Sequence, residues 1–531
     1  MATRLIEALE AFQKPRHPLR ILTLPPDAWA GSAETGRALL TALRDYPSGY
    51  DVAIAAFWRT TEDDATQNYR HGFRWLRDLR ACGGDMARRA ARHLIESWIE
   101  TYGRQSGTTG IFDAALTGAR LAAWVQHFDF YGASADTQWQ DIWMNCVFRQ
   151  GRHLARSLPS NHTGPAALQA ITGLLLAGLS LSDQDDWLHQ THDMLQTELA
   201  KQILGDGGHV TRSPAQLLLA YMRCHEIRVA LVAAGRPVPA VLIHALDRMG
   251  PALRFFRCGD KKLPCFHATQ EEDADRLDHY LASIDTKGKV LRTLPACGYD
   301  RLSSGRSLLL FDHGLCPPAP YDRQMHAAPL AFEFSYARER IFVNCGTHPS
   351  AAEWQDALRA TAAHNSLTID DYNAMEIRQD GHFGRIVRKA MITREDTEAF
   401  SMVEGSHDGY VSTTGITHHR RLSLAQKGHD LRGEETLSCA TQLAKPRQVT
   451  LRFHLHPRVL VSAIRDGQEF LLRLPSGIGW RFHQTGATLS LENSIYLGEG
   501  NRPLKTKQIV LTSTMQSDKL QICWALQREG L

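Results

Sequence analysis

An α+β chain of two or three domains is predicted, helical in front and antiparallel β behind, and three observations predict it. The apolar residues repeat with a helical period from about residue 70 to about residue 275. After about residue 285 the period drops to two, the mark of strands with one face in a core. The length, 531 residues, exceeds what one ordinary core covers. Two polar stretches, Glu271-Glu-Asp-Ala-Asp275 and Asp285-Thr-Lys-Gly288, lie at the changeover. The expected divisions are an N-terminal segment, 1–70, a helical domain, 71–280, and a β domain, 281–531.

In the helical part, Leu94, Ile95, Trp98 and Ile99 share one face and follow Asp85, the expected N-cap; Leu121, Trp124, Val125 and Phe128 repeat the pattern. Ser182-Asp-Gln-Asp185 reads as a capping-box start for Trp187, Leu188, Leu195, Leu199 and Ile203. Gly235 and Pro237 close a helix that begins near Ser213. Periodicity alone leaves bundle, solenoid and toroid open. In the β part, Leu330, Phe332 and Phe334 alternate with Ala331, Glu333 and Ser335, and Val449, Leu451, Phe453 and Leu455 alternate with Thr450, Arg452, His454 and His456. Lys427-Gly428 and Asp466-Gly467 are turn signals. Strands of this kind over about 240 residues point to a large β-sandwich.

Composition excludes several classes. With 43% hydrophobic and 22% charged residues the chain is globular and soluble, neither disordered nor fibrous. The 60 basic and 57 acidic residues leave a formal charge of +3, too little for a nucleic-acid field, though a local basic cleft for an anionic sugar is hidden in such a sum. No apolar run is long enough for a transmembrane segment, and the start, Met1-Ala-Thr-Arg-Leu5, lacks an export signal. Ten scattered cysteines without a Cys-x-x-Cys pair read as buried thiols. These features taken alone favour a cytoplasmic protein.

Three motifs follow one another in the back half: His326-Ala-Ala-Pro-Leu-Ala-Phe-Glu-Phe-Ser335, Arg340-Ile-Phe-Val-Asn-Cys-Gly346 and Arg359-Ala-Thr-Ala-Ala-His-Asn365. Together they resemble the C-terminal domain of the heparinase II/III-like family. There a His opens a strand of the form His-Ala-Asp-x-Leu-Ser-Phe-Glu, a second strand ends in Val-Asp-Pro-Gly, and Arg-x-Thr-x-Ala-His-Asn follows. Upstream, Asn161-His162 and Asp206-Gly-Gly-His-Val-Thr-Arg-Ser-Pro214 are similar to two stretches of the family's (α/α) toroid. Further fragments around Trp75, Leu253, Gly405 and Arg452 extend the likeness in the same order over most of the chain. The resemblance implies an N-terminal (α/α) toroid followed by a C-terminal antiparallel β-sandwich. It also implies a polysaccharide lyase of the cell envelope or periplasm that cleaves an anionic, uronic-acid-containing polymer by β-elimination.

Elimination requires that the uronate carboxylate be neutralised, that a base take the C5 proton, and that an acid protonate the leaving oxygen. Asn161 and His162 match the toroid position that neutralises the carboxylate or takes the proton; the alternative is that Asn161 caps the helix near Pro165 and His162 is a solvated loop residue. Arg212 is suited to a carboxylate or sulfate, or to a structural ion pair, and His209 to substrate contact or a turn. The sequence departs from the family at three positions. The lyases carry a catalytic Tyr where this chain has Gln216, whose amide does not titrate, so Tyr221, Tyr299 and Tyr410 become the candidate phenols. Gln324 stands where some members carry a first catalytic His before His326. The family's zinc ligands match His326, Asn344 and His364, and an amide at the middle position is a poor ligand; Cys345 offers a thiolate instead, or His326 and His364 form a metal-free polar knot.

Three functions follow from these residues. One is a lyase using Asn161, His162, Arg212 and a relocated tyrosine such as Tyr221, with His209 and Tyr299 on the substrate. The second is a polysaccharide-binding or biosynthetic accessory protein that has lost elimination. The third, a hydrolase, needs two carboxylates across a cleft, and no such pair stands beside these motifs.

Overall fold

The computed structural model describes residues 15, 17–58, 64–105, 110–272, 274–282, 289–348 and 351–530. They form two compact units, one of Met1–Lys201 with Leu219–Leu246 and one of Gln202–Leu218 with Asp247–Leu531. The first is helical. The second carries three antiparallel sheets, and the whole is an (α/α) toroid followed by a β-sandwich, as expected.

Within the first unit the apolar stripes expected from the sequence are buried. Leu94, Ile95 and Trp98 of the helix Gly84–Tyr102 and Leu121, Trp124 and Val125 of the helix Ala114–Gln126 are inaccessible to solvent. The helices Ala114–Gln126 and Pro165–Ser180 pack glycine to glycine. A Cβ on Gly173 would stand 2.1 Å from the Gly118 carbonyl oxygen, so neither position admits a side chain. An extended N-terminal segment lies along this unit. Leu22 N–H donates to Ser180 O, Ser182 N–H donates to Arg20 O, and Arg77 grips Asp27 with two hydrogen bonds of 2.5 and 2.9 Å. No helix of the described residues is long and apolar enough to cross a membrane.

Asp85 is not the cap that its position led us to expect. Gly83, at φ +69, begins that helix without a side-chain bond, and Asp85 sits in the first turn, where it pairs with Arg88 and Arg89. There a carboxylate still meets the positive end of the helix, so the polarity was right and the geometry wrong. The other two signals match better: a helix starts at Asp185, and Gly235, at φ +63, stops the helix Pro214–Ala233.

In the second unit the strands run in chain order as β1 (Thr293–Leu294), β2 (Tyr299–Ser304), β3 (Ser307–Asp312), β4 (Phe332–Tyr336), β5 (Glu339–Phe342), β6 (Leu367–Ile369), β7 (Ala390–Asp396), β8 (Phe400–Tyr410) and β9 (Ile416–Ala425). They continue as β10 (Asp430–Cys439), β11 (Arg447–His454), β12 (Leu460–Ile464), β13 (Glu469–Arg473), β14 (Gly479–Thr485), β15 (Thr488–Tyr496), β16 (Leu504–Met515) and β17 (Lys519–Arg528). The sheets have the orders β1-β2-β3-β4-β5, β12-β13-β14-β17-β10-β9-β8-β7 and β15-β16-β11-β6. Lys427-Gly428 turns β9 into β10 and Asp466-Gly467 turns β12 into β13.

One core joins all three sheets. Phe332 of β4, Phe453 of β11 and Phe482 of β14 surround Trp524 of β17, with Phe332 stacked on it at 5.7 Å. Gly433 makes room for that indole: a Cβ there would lie 2.0 Å from the ring. The expected alternation along β4 is overturned, since all five of its residues are buried. β4 is flanked by β3 and β5 and packed on both faces, and Glu333 points into a buried polar cluster, not into water. His454 and His456, expected on a solvated face or in a cleft, are also buried.

At the centre of the core Arg420 and Glu435 are fully buried and paired at 2.8 Å. His418 and Trp524 Nε1 also reach Glu435, while Arg420 donates to the carbonyls of Leu330 and Asn365 at 2.5 and 2.7 Å and lies over Phe332. Removing one partner strands a buried charge. Arg420→Met is therefore expected to lose about 3–5 kcal/mol in urea unfolding, and adding Glu435→Leu is expected to recover part of it; a double variant as unstable as the sum of the singles would contradict this.

Candidate functional site

In the second unit a cleft of about 620 Å³ opens beside His326. Its walls come from Ala215 in the first turn of the helix Pro214–Ala233, the loop carrying Ala268 and Gln270, the short turn Tyr321–Gln324, the stretch from Thr347 to Arg359, and Gly381. Gln324 and Ala215 line this cleft, whereas Gln216 is not among its lining residues. No tyrosine lines it among the described residues.

Behind the cleft floor the family motif folds into a network of neutral groups. Ala268 N–H donates to His326 Nε2 at 2.9 Å, and His326 Nδ1 lies 3.1 Å from His364 Nε2, which is 3.0 Å from the Leu358 carbonyl. Burial pushes both imidazoles down, His364 to about 3. Asn344 is spent elsewhere: its Oδ1 accepts from Asn365 N–H at 3.2 Å, and its Nδ2 faces Glu333 Oε1 at 3.4 Å. Glu333 Oε1 also accepts from the backbone of Asn344 and Cys265, and burial raises its carboxyl to about 7.

The expected zinc set is thus two imidazoles that bond each other and an amide that bonds neither, and this donor set does not fit the metal. Cys345 is not turned to the histidine pair: its thiol, pushed up to about 12 by burial, faces His454 Nδ1 at 3.4 Å. Glu271, His456 and Glu499 also converge, yet Lys262 Nζ already fills the space between the two carboxylates, 2.7 and 3.1 Å away.

Arg212 and Tyr299 come together, but inside the protein. Arg212 is 4% exposed at φ +63, pairs with Asp312, and donates to the carbonyls of Cys297, Gly298 and Gly314. Burial alone would raise the Asp312 carboxyl, but Arg212 and His267 hold it down at about 2. The guanidinium has its anion already, which corrects its assignment to substrate. Tyr299 is inaccessible, its hydroxyl donates to Arg212 O at 3.0 Å, and burial raises the phenol far above its usual range. His209 is buried too, set between Thr211 Oγ1 and Gln202 Oε1 at 2.7 and 3.4 Å and pushed down to about 3. Tyr410 is equally sealed, its hydroxyl on Leu367 O.

The remaining candidates belong to the first unit. Asn161 is exposed and caps nothing, because Gly164 at φ +63 starts the helix at Pro165. His162 lies 2.5 Å from Asp113, the residue that caps the helix Ala114–Gln126, and that bond raises its imidazolium. Tyr221 is buried and stacks on His225 at 6.0 Å. Sequence reasoning missed His267 and Asp312, which link Arg212 to the His326 backbone: Asp312 lies 2.8 Å from His267 Nε2, and His326 N–H donates to His267 Nδ1. Neither residue sits in a motif.

Comparison with known proteins agrees with the fold. Residues 286–525 match the heparinase II/III-like C-terminal domain. The FtsZ-localized protein C of Caulobacter vibrioides is 31% identical over 486 residues, covering 86% of this chain and 81% of its own. Among solved structures, a heparinase III superposes with a TM-score of 0.74 at 14% identity, over 98% of this chain and 89% of its own. The heparan sulfate lyase HepC of Pedobacter heparinus gives 0.65 at 15% identity, over 99% and 88%. The chondroitin AC lyase of Streptomyces coelicolor gives 0.56 at 10% identity, over 94% and 83%.

Restoring the family's acid tests the metal fit. Asn344→Asp sets a second carboxylate against buried Glu333 and is expected to lose about 1–3 kcal/mol in chemical unfolding, whether or not zinc is added. Recovery of wild-type stability on adding zinc would show that the histidines accept the ion after all.

Proposed function

The chain belongs to the heparinase II/III-like family, and from that premise we propose that it binds an acidic polysaccharide or oligosaccharide without cleaving it. The family fold is that of polysaccharide lyases, so a saccharide cleft is its inherited feature. The observation that carries the reading is the chemistry of the cleft: an amide, Gln324, lines it where some lyases carry an imidazole, and in the sequence Gln216 stands where they carry a phenol. An amide hydrogen-bonds a sugar hydroxyl in either direction but neither takes the C5 proton nor protonates a leaving oxygen at neutral pH.

The candidate replacements do not restore that chemistry. Tyr299 and Tyr410 are sealed in the sandwich with their hydroxyls bonded to carbonyls, and Arg212 is neutralised by Asp312. A buried phenol with a raised pKa and no path to a glycosidic oxygen is a packing residue. Elimination is therefore expected to be absent. Full-length protein incubated with a broad panel of uronate polymers should give no near-ultraviolet absorbance from a 4,5-unsaturated uronate, while calorimetry detects binding to at least one of them. A steady rise in that absorbance would overturn the reading in favour of a lyase.

We further propose that the binding serves cell division, where it would tie an acidic saccharide to the division apparatus. The likeness to the FtsZ-localized protein of Caulobacter over most of both chains supports this. A fluorescent fusion of the full chain is expected to gather at midcell in dividing cells and to disperse when FtsZ is depleted. Uniform fluorescence in dividing cells would contradict it.

A further inference from the structure

The geometry points to Arg359 as the residue that anchors a saccharide carboxylate in the cleft, an inference that rests on the binding function proposed above. Arg359 ends the helix Ala352–Arg359, lines the cleft, and is 8% exposed. Of its five donors the protein uses one: Nε donates to Met325 O at 3.0 Å. Nη2 is buried with no partner among the described residues, and Nη1 lies 3.9 Å from where a Cβ on Gly381 would stand. The ring of Phe383 supports the other face at 5.0 Å.

Every other buried arginine of this unit described so far has found its anion or its carbonyls. Arg212 has Asp312 and four carbonyls, and Arg420 has Glu435 and two. Among the described residues Arg359 has neither a carboxylate within ion-pair distance nor a second carbonyl. Asp356 and Asp322 attract the guanidinium through space, but neither forms an ion pair with it. Asp322 accepts from His382 and from Phe383 N–H at 2.7 and 2.9 Å, Asp380 pairs with Arg378 at 3.0 Å, and Asp356 is exposed. A buried guanidinium with unused donors on a cleft wall is a site for a planar anion, which it meets through charge-assisted hydrogen bonds.

The rest of the wall fits a sugar acid. Exposed Arg323 adds a second positive charge beside Gln324, whose amide makes no hydrogen bond to the described residues and so remains available to a ring hydroxyl. Gly381, at φ +81, keeps the approach to Nη1 open.

That glycine supplies a test that leaves the buried side of Arg359 untouched. Asn and Asp tolerate a left-handed backbone, so Gly381→Asn is a size control and Gly381→Asp places a competing carboxylate beside Nη1. Calorimetric titration of the full-length protein would use a glucuronate-containing tetrasaccharide and its carboxyl-reduced, neutral counterpart. The wild type and Gly381→Asn are expected to bind the acid about tenfold or more tightly than the neutral form. Gly381→Asp and Arg359→Lys are expected to lose that preference, with unfolding midpoints near those of Gly381→Asn and the wild type. Equal binding of acid and neutral forms by the wild type, or full acid binding by Gly381→Asp, would overturn the anchor while leaving saccharide binding in place. Binding of neither form would overturn the binding function itself, and the anchor with it.

Discussion

Arg420 and Glu435 sit where no water reaches, and a sandwich with an ion pair at its centre stands only if hydrogen bonds from the surrounding groups offset the cost of burying it. Burying two charges costs several kcal/mol per ion, more than their mutual attraction alone returns. The difference is met by hydrogen bonds that spread outward. Glu435 gathers His418 and Trp524, and Arg420 reaches Leu330 and Asn365 in the segments around β4 and β6. Asn365 then bonds the Phe332 carbonyl, the His454 amide and Asn344 Oδ1. One pair thereby fixes the five-stranded and four-stranded sheets against the eight-stranded one, with Trp524 and Phe332 packed around it.

The same network explains how the fold persists while the chemistry changes. Of the residues in the family motif, Glu333, Asn344, His364 and Asn365 are held by bonds to backbone amides, carbonyls and one another, and none of those bonds requires a metal or a substrate. Replacing an acid by Asn344 suits this interior, because Glu333 next to it already carries a carboxyl raised by burial, and a second carboxylate there would repel it. Gln324 lines the cleft and has no hydrogen bond to that network, so an amide there leaves the core's bonds untouched. The site is free to lose acid and base, and the scaffold has no reason to follow.

How much of this was legible in the sequence depended on how local the determinant was. The change of period from helix to strand, the stop at Gly235 and the turn at Lys427-Gly428 were readable because each is fixed by a few neighbouring residues. The family motif was readable because its order survives over the back half. The roles of its polar residues were not. Glu333, His454 and Arg212 look like surface or site residues in one dimension, and each is held by a partner far along the chain: Cys265, Ser494 with Ala362, and Asp312. Nothing in a local window shows that a charge has such a partner. Arg359 illustrates the converse, since the unused Nη2 of its guanidinium appears only when its surroundings are assembled.

The most direct measurement is a crystal structure of the full-length protein with a uronate oligosaccharide, at a concentration that fills the cleft. The expected result is an intact glycosidic bond, the sugar carboxylate on Arg359, a ring hydroxyl at Gln324, and Arg212 still paired with Asp312. An unsaturated product in the cleft, or a tyrosine hydroxyl brought to the glycosidic oxygen, would contradict it.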